Sequence, residues 1–472
     1  MKVLLVNPST KNIYKKVKAP YPPLGLLYIA SCLEKSGYLV DFIDWDHDIN
    51  KLDDFIRLLK RSDYLFAGLT AVTPTIEHAT DIAKLIKSAQ DIPVVIGGIH
   101  ATCNPQETLK NPCFDICILG EGEETIVELA DHFSKRDYQE ISNISGLAYM
   151  HNNSLISTAP RKHLLNLDLL PKPAFHLVNN ISRYINPVTS KRTFPMMTTR
   201  GCPYSCTFCA ANNIHGRATR SRTIKNILEE IKWLINDHQA SAIHFLDDNF
   251  ISSKQRFLSF YNAIIKENIN IAFEFANGIR LDSVDQEILG KMKAMGFNSV
   301  GFGLESIDKK TLKEIKKGLY LDRSEIKKLV ETAKKQGLET WLFFMLGFPN
   351  DSEQTMLDMI DFSIKTDPHY IKFEILKPFP GTEIHEQMHS AGLIDNYDYN
   401  KYGVHHYVVH HSKYLGPKNI MCWQKRSYRA FYLRPIKLWH IFLTHLKILD
   451  IKGLFNKLLF GLSIMFSKDQ QY

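Results

Sequence analysis

The stretch from Thr199 to Cys209 carries three cysteines, Cys202, Cys206 and Cys209, separated by three residues and then by two. Fe–S clusters are held by cysteine thiolates, and a cubane cluster usually takes four of them. Three thiolates leave one iron of such a cluster with an open coordination position, where chemistry can occur. The spacing therefore predicts an iron–sulfur centre that binds a further ligand.

A zinc site is the alternative interpretation of the same three cysteines. Structural zinc closes its coordination with four protein ligands, and a cysteine pair followed by a histidine does bind zinc. The next candidate ligand along the chain is His215. Chance clustering explains the motif poorly, because three of the eight cysteines in the chain fall within eight positions.

The run Cys-x-x-x-Cys-x-aromatic-Cys, preceded by Thr199-Arg200-Gly201, resembles the signature of radical S-adenosylmethionine (SAM) enzymes. This resemblance implies that the open iron of a [4Fe-4S] cluster binds the amino and carboxylate groups of SAM. It also implies that an electron from the cluster cleaves SAM to a 5′-deoxyadenosyl radical. Phe208 stands at the position where this family packs the adenine.

Length and composition describe an ordinary globular chain. The 472 residues predict roughly two to four domains, and the net charge of +8 is mild for this size. Lys and Arg alternate with Asp and Glu, so we expect no nucleic-acid partner. No uncharged apolar run reaches the length of about 18 residues that a membrane-spanning helix needs. Unpaired cysteines and an oxygen-sensitive cluster favour a reducing cytoplasm.

Residues 1–140 alternate short apolar runs with helical patterns, which predicts a parallel sheet with helices on both faces. The predicted strands are Val3–Asn7, Val40–Asp44, Leu65–Thr70, Val94–Gly97 and Ile116–Leu119. Ligands of such sheets bind beyond the carboxyl ends of the strands. Those ends carry Asn7-Pro8, Thr70, Gly97-Gly98-Ile99-His100 and Gly120-Glu121-Gly122-Glu123.

Three segments of this domain, in this order before a three-cysteine motif, resemble the cobalamin-binding domain of cobalamin-dependent radical SAM enzymes. They are Pro22-Pro23-Leu24-Gly25-Leu26, Gly97-Gly98-x-His100 and Gly120-Glu121-Gly122-Glu123-x-Thr125. The resemblance implies a Rossmann-like fold and contacts to the corrinoid from Asn7, Gly25, Thr70, Gly97, Gly98, His100, Gly120, Glu121 and Gly122. Many such domains ligate cobalt with the histidine of Asp-x-His-x-x-Gly, which this sequence lacks. Two interpretations of His100 stay open, a cobalt ligand and a loop histidine near the corrin edge.

Residues 191–385 predict a partial (β/α)₆ barrel, the usual architecture of radical SAM enzymes. The predicted strands are Phe194–Thr199, Ala242–Leu246, Ala272–Ala276, Ser299–Leu304, Thr340–Leu346 and Tyr370–Leu376. Active sites of barrels lie at the carboxyl ends of the strands. The resemblance implies SAM contacts there from Asp247, Asn277, Arg280, Glu305 and Gly347. It assigns Glu305 to the ribose or amine, Arg280 to the carboxylate and the backbone near Gly347 to the adenine. A helix N-cap or a solvated polar group is the alternative role for each of them.

The remaining segments are a linker and a tail. Residues 141–190 predict a small β element and a proline-stiffened connector, and residues 386–472 predict a mainly helical region. Of the four tail histidines His405, His406, His410 and His411, adjacent pairs cannot face one way, which favours a substrate-side loop or strand over a metal cluster. From Ile436 to Phe466 apolar residues mix with lysines. Two interpretations stay open, a segment on a membrane surface and a helical lid on the barrel.

Together these patterns favour a cobalamin-dependent radical SAM methyltransferase. The expected substrate is an unactivated carbon of a small or lipid-like molecule, methylated through a 5′-deoxyadenosyl radical and methylcobalamin, with an external electron donor. A radical cyclase or ring-rearranging enzyme with the same cofactors is the alternative among enzymes. A cobalamin-binding sensor or carrier is the alternative outside enzymes, and the intact cysteine triad argues against it.

Overall fold

Two α/β units follow one another along the chain, an open sheet and then a half-barrel. The computed structural model describes residues 1–14, 20–49, 52–135, 141–186, 191–275, 277–319, 321–403 and 407–439.

The N-terminal unit is built on one seven-stranded sheet. Its strands are β1 (Lys2–Asn7), β2 (Leu39–Asp44), β3 (Tyr64–Thr70), β4 (Val94–Gly97), β5 (Ile116–Ile118), β6 (Leu147–His151) and β7 (Ser154–Ser157). Their order is β2-β1-β3-β4-β5-β6-β7. The first five strands pair in parallel, as the sequence predicts, and β6 and β7 add an antiparallel hairpin. That hairpin lies within the range predicted as a linker, and it extends the sheet.

Helices cover both faces of this sheet. They are α1 (Lys11–Tyr14), α2 (Leu24–Lys35), α3 (Trp45–Asp48), α4 (Leu52–Arg61), α5 (Ile76–Ala89), α6 (Ile99–Cys103), α7 (Pro105–Leu109) and α8 (Glu123–Ser134). Successive side chains of a strand point to opposite faces. Val3 and Leu5 accordingly join the core with α2 and α8, while Leu4 and Val6 join the core with α4 and α5.

The strand order creates a crevice at the carboxyl edge of the sheet. Strands β2 and β3 lie on either side of β1, so the direction of winding reverses there. Ligands of doubly wound sheets bind in the crevice at this reversal. Asn7 ends β1 and Thr70 ends β3, which places both predicted corrinoid contacts at the crevice.

The second unit holds six parallel strands in two groups of three, with a short ribbon beside them. The strands are β8 (Thr193–Met196), β9 (Thr199–Arg200), β10 (Arg220–Ser221), β11 (Ala242–Phe245), β12 (Ala272–Phe275), β13 (Ser299–Glu305), β14 (Glu339–Leu346) and β15 (Tyr370–Ile375). The groups β8-β11-β12 and β13-β14-β15 are parallel. Single parallel bridges, Phe273 to Phe297 and Ile279 to Phe302, join them. The predicted partial (β/α)₆ barrel is thereby confirmed.

Most helices of this unit begin where the sequence supplies a capping side chain. They are α9 (Ala211–His215), α10 (Ile224–Asn236), α11 (Lys254–Lys266), α12 (Gln286–Met295), α13 (Lys309–Glu314), α14 (Arg323–Lys335), α15 (Glu353–Thr366), α16 (Glu383–Ser390) and α17 (Pro417–Tyr432). Thr223, Ser253 and Asp285 each accept a hydrogen bond from a backbone N–H of the first turn that follows. Such caps satisfy donors that have no partner within the helix.

The tail helix α17 closes the free edge of the barrel. Strand β15 is the outer strand of its group, and its outward backbone groups need partners. The Tyr428 hydroxyl accepts from the Phe373 N–H at 3.1 Å, and Gln424 Nε2 donates to the Phe373 carbonyl at 2.8 Å. Side chains of a helix therefore replace a missing strand. Most of the lysine-rich segment from Ile436 to Phe466 lies outside the described residues.

Among the helices that the structure describes, none combines the length and apolar content needed to cross a bilayer.

We predict that Tyr428→Phe lowers the melting temperature, because the buried Phe373 N–H loses its partner. A buried peptide group without a hydrogen bond costs about 1–3 kcal/mol. Calorimetry of the purified chain measures the effect. Tyr414→Phe is the control, since that side chain is 68% exposed and its loss of a hydroxyl should leave the melting temperature unchanged. Equal melting temperatures for the two variants would contradict the proposed role of α17.

Candidate functional site

The three cysteines lie on a loop between β9 and α9, which we call the cysteine loop (residues 201–210). Gly201 starts it in the left-handed region, with φ of 89°. A Cβ atom at Gly201 would stand 2.4 Å from the Ala218 carbonyl oxygen, which no side chain tolerates. The Cys202 N–H then donates to the Gly216 carbonyl at 3.3 Å. Glycine is therefore required to deliver Cys202.

Residues between the cysteines anchor the loop to the barrel. The Thr207 N–H donates to the Ile315 carbonyl at 3.0 Å, and the Thr207 carbonyl accepts from the Ile384 N–H at 2.9 Å. The Arg280 guanidinium lies 3.6 Å from the centre of the Tyr204 ring, a favourable cation–π contact. The shape of the loop is thus set by contacts that do not involve the thiols.

Cationic side chains lie beside the thiols. Burial raises the pKa of Cys206, and Lys317 and Arg280 oppose that rise. Burial likewise raises the pKa of Cys202, again against Arg280 and Lys317. Thiolates are the ligand form of cysteine. The two cations are placed to favour a negatively charged group held by thiolates.

The donor set fits an iron–sulfur cluster better than zinc. A cubane takes one thiolate on each of three irons, and all three thiols come from one anchored loop. Zinc would need His215 as its fourth ligand, but His215 Nδ1 lies 3.0 Å from a Glu121 carboxylate oxygen of the N-terminal unit. Across the described residues, no three Cys, His, Asp and Glu side chains gather as a single metal ion requires.

Glu305 ends β13 in a strained conformation close to the cysteine loop. Its φ is 65°, a region that costs a non-glycine residue about 1–2 kcal/mol. Its carboxylate accepts from Lys317 Nζ at 2.9 Å, and both side chains are almost buried. Burial lowers the pKa of Lys317, but Glu305 and Cys206 together raise it above its usual value. Strain of this kind clusters at functional sites, and both charges act on Cys206.

Sequence reasoning missed Lys317, because it stands at the end of a lysine-rich stretch that is typical of a solvated helix face. Its burial arises only when the chain after α13 folds back toward Glu305. A Lys-Gly pair directly after a helix is the only signal in the sequence, and it is weak.

Arg280, which the resemblance assigns to the SAM carboxylate, is engaged by groups of the barrel. Its guanidinium donates to both Asp282 carboxylate oxygens at 2.9 and 2.6 Å. It also donates to the carbonyls of Lys317 at 2.7 Å and Gly318 at 3.1 Å. Four of its five N–H groups are therefore used within the barrel, and its ring contact with Tyr204 supports the cysteine loop instead.

Asp247, which the resemblance assigns to SAM, binds the two residues that precede Arg200. It is buried, and its carboxylate accepts from the Thr198 N–H at 3.1 Å and from the Thr198 and Thr199 hydroxyls at 2.7 and 2.6 Å. The next residue, Asp248, accepts from the Gly201 N–H at 3.2 Å. Asn277 is exposed, and its amide lies 3.5 Å from the Asp247 carbonyl. Asp248 thus lies closest to the cysteine loop.

The backbone at Gly347 is held from both sides. Gly347 has φ of 94°; its N–H donates to the Asp351 carboxylate at 2.9 Å, and its carbonyl accepts from His410 Nε2 at 2.9 Å. Burial lowers the pKa of His410 to about 3, so the ring is neutral and Nε2 carries the proton. His410 therefore lies in the core, on an extended segment that forms an antiparallel bridge with Ile394. His405 and His406 lie outside the described residues.

Phe208 forms part of an apolar wall beside the loop. Its ring centroid is 6.1 Å from that of Phe348, and it packs on the buried cluster that contains Ile315 and Leu376. A flat apolar ligand such as adenine is suited to such a wall.

Predicted corrinoid residues gather at the carboxyl edge of the N-terminal sheet. Gly98 has φ of 91°, and a Cβ there would stand 2.7 Å from Thr70 Oγ1. Gly97 precedes it at the end of β4. Gly25 is exposed in the first turn of α2, with open space around it. Gly122 lies on the loop before α8 and faces Ile118.

His100 is buried beneath the tail. Its Nδ1 lies 3.1 Å from Thr73 Oγ1, and its ring meets Tyr399 edge-on with centroids 5.0 Å apart. Burial lowers its pKa to about 4, so the ring is neutral. His100 lies in α6 rather than in a loop, and these contacts support a structural role for it.

Glu121 joins the two units. Its carboxylate accepts from Arg220 at 2.6 and 2.9 Å, and Arg200 Nη1 lies 3.5 Å away. Glu123 pairs with Arg200 as well. Gly120 precedes Glu121 with φ of 75°. Barrel residues therefore use the oxygens of Glu121, and its contact with the corrinoid stays a prediction.

We predict that Gly201→Ala reduces iron and sulfide per chain after anaerobic reconstitution. The backbone clash adds about 1–3 kcal/mol, which corresponds to a loss of about 5- to 160-fold in cluster affinity. Gly37→Ala is the matched control, because Gly37 has φ of 88° but open space around it. If both variants retain wild-type iron, the role given to Gly201 is wrong.

Comparisons with known proteins match both units. The family model described as B12 binding domain matches residues 11–130, and the model described as Radical SAM superfamily matches residues 196–363. An uncharacterized methyltransferase of Pyrococcus horikoshii is 32% identical over 92% of this chain and 93% of its own. The anaerobic magnesium-protoporphyrin IX monomethyl ester cyclase of Cereibacter sphaeroides is 23% identical over 92% and 71% of the two chains.

A solved structure shows the same fold. The radical SAM methyltransferase TsrM from Kitasatospora setae, with cobalamin and a [4Fe-4S] cluster bound, aligns with a TM-score of 0.70 at 19% identity. The alignment covers 83% of this chain and 78% of TsrM. With a cysteine loop that fits a cluster and a sheet edge that fits a corrinoid, the chain belongs to the cobalamin-dependent radical SAM enzymes.

Proposed function

We propose that this enzyme transfers a methyl group to an unactivated carbon of a small molecule. When bound, the cluster, SAM and cobalamin supply the electron, the hydrogen-abstracting radical and the methyl group. In the balanced reaction, one substrate C–H bond, two SAM and two electrons give one C–CH₃ bond. The co-products are S-adenosylhomocysteine, methionine and 5′-deoxyadenosine.

One observation carries the proposal: the cysteine loop and its flanks contact the carboxyl edge of the N-terminal sheet. Asn213 Nδ2, just after the loop, lies 3.0 Å from the Cys103 sulfur of α6. Arg220 pairs with Glu121 on the loop after β5. Radical generation and methyl donation must occur on either side of one substrate carbon, and this contact supports that arrangement.

We assign the SAM pocket to residues around the cysteine loop. The Glu305 carboxylate is suited to the SAM amine or ribose hydroxyls, and Phe208 with Phe348 is suited to the adenine. Asp248 stands closer to the loop than Asp247 and replaces it in the assignment. Asn277 and the Gly347 backbone stay proposed contacts at the neighbouring strand ends.

We assign the corrinoid to the crevice at β1 and β3. Asn7 and Thr70 flank it, and Gly97, Gly98, Gly120 and Gly122 let the backbone come close to a large flat ligand. Gly25 offers open space on the same unit. The polar side chains of Asn7 and Thr70 are suited to the amide groups at the corrin rim.

The proposal includes partners beyond the cofactors. Each reduction of the cluster needs an electron, so an external electron donor must reach the cysteine loop. A lipid-like substrate and a peripheral membrane contact through the tail belong to the proposal as well. The residues that would make that contact, 440–472, lie outside the described part of the chain.

We predict that SAM labelled at its methyl group transfers the label to the product, detected by mass spectrometry of reactions with candidate small molecules. Cys206→Ala should abolish formation of 5′-deoxyadenosine, because the cluster loses a ligand. Cys422→Ala is the control, since Cys422 is exposed on α17. Unlabelled product with one SAM used per turnover would contradict methyl transfer and favour the radical cyclase.

We predict that Glu305→Gln raises the KM for SAM about tenfold, because a hydrogen bond to a charged group contributes about 1.5–3 kcal/mol. The assay follows 5′-deoxyadenosine at matched cluster content. Glu383→Gln is the control, because Glu383 makes a similar but exposed pair with Lys316 at 2.6 Å. An unchanged KM in Glu305→Gln would remove Glu305 from the SAM pocket.

A further inference from the structure

Four buried charges join the two units, and we call them the charge clamp: Glu121, Glu123, Arg200 and Arg220. Their side chains are 6–11% exposed. Two carboxylates balance two guanidiniums, so the group is neutral as a whole. A buried charge is stable only when its partners are in place. The clamp is therefore complete only when both units are docked.

The clamp holds both ends of the cysteine loop. Arg200 stands two residues before Cys202 and lies opposite Arg220 on the β9–β10 ribbon. On the far side of the loop, His215 at the end of α9 bonds Glu121 at 3.0 Å. One carboxylate of the N-terminal unit thus receives contacts from both flanks of the loop.

The other side of the clamp is the edge assigned to the corrinoid. Glu121 lies between Gly120 and Gly122, and Glu123 opens α8. A second tie lies close by, where Asn213 Nδ2 contacts the Cys103 sulfur at 3.0 Å and donates to the Gly381 carbonyl at 2.8 Å. Any shift of the loop after β5 would therefore be transmitted to the cysteine loop.

We infer that Glu121 and Glu123 are positioning residues that fix the separation of the cysteine loop from the corrinoid edge. This inference rests on the proposed function, because a fixed separation couples SAM cleavage to methyl transfer. A glutamine at position 121 keeps the shape but removes the charge that orients Arg220 and Arg200. The cysteine loop is then no longer held at a fixed distance from the corrinoid edge, while its cysteines stay intact.

The test compares Glu121→Gln with Glu124→Gln in the holoenzyme. Glu124 lies three residues further along, in the first turn of α8, where it is exposed and pairs only with Arg161 among the described residues. The first readout is 5′-deoxyadenosine formed per methylated product. A displacement of about 1 Å can slow an oriented reaction by about 10²-fold, so we expect this ratio to rise at least tenfold in Glu121→Gln alone.

The second readout is the distance between the reduced cluster and cobalt(II) by pulsed electron paramagnetic resonance. We expect it to broaden or lengthen in that variant.

An unchanged ratio together with an unchanged distance in Glu121→Gln would overturn the inference. Hydrogen exchange of the cofactor-free chain covers the case in which the variant fails to load corrinoid. Faster exchange over residues 199–217 in Glu121→Gln than in Glu124→Gln supports the clamp. Lost corrinoid with unchanged exchange there would instead indicate direct contact of Glu121 with the cofactor. If the wild-type enzyme makes no methylated product, the proposed function fails, and the distance measurement still decides the inference.

Discussion

Buried charge pairing between the two units is the constraint on which the rest of the site depends. Removing one partner from such a pair costs about 3–5 kcal/mol, so the docked arrangement is strongly preferred to any in which these groups separate. The pairs surround the cysteine loop and start from the edge assigned to the corrinoid. The geometry between two cofactor sites is thereby set by electrostatics, while apolar packing holds each unit together. The apolar core continues from one unit to the other through linker residues such as Leu167 and Phe175. Apolar packing therefore favours the docked arrangement, but it does not fix the exact alignment of the two units.

Local backbone strain then sets the details of the site. Gly98 and Gly201 adopt left-handed conformations at points where a Cβ would strike the backbone or a neighbouring side chain. Glu305 adopts such a conformation despite its side chain. The ion pair with Lys317 contributes to holding it there. Each of these residues lies at or just after the end of a strand. The sheets therefore give rigid support, and the strained segments carry the residues assigned to the cofactors.

The elements were largely predictable from local pattern. The predicted strand Val94–Gly97 matches the structure to the residue, because hydrophobic periodicity acts over short distances. The place of the β6–β7 hairpin in the sheet was harder to predict, because it depends on pairing with β5 rather than on the sequence of the hairpin itself. Polar strand ends were recognised as a group, but the partner of each could not be predicted. Arg280 illustrates this, because its donors are used by carbonyls 37 and 38 residues further along the chain.

The sequence by itself determined the chemistry: three cysteines at fixed spacing, glycine-rich strand ends and two alternating α/β patterns point to a cluster, a corrinoid and SAM. Short-range spacing suffices for this, because one loop supplies all three thiols. Only the tertiary structure decided which charges face the cofactors and which face each other. Glu121 pairs with Arg220, 99 residues away, and Lys317 turns inward to Glu305. The first pair follows from how the two units dock, and the second from how the chain after α13 folds back within the barrel; no local pattern encodes either contact.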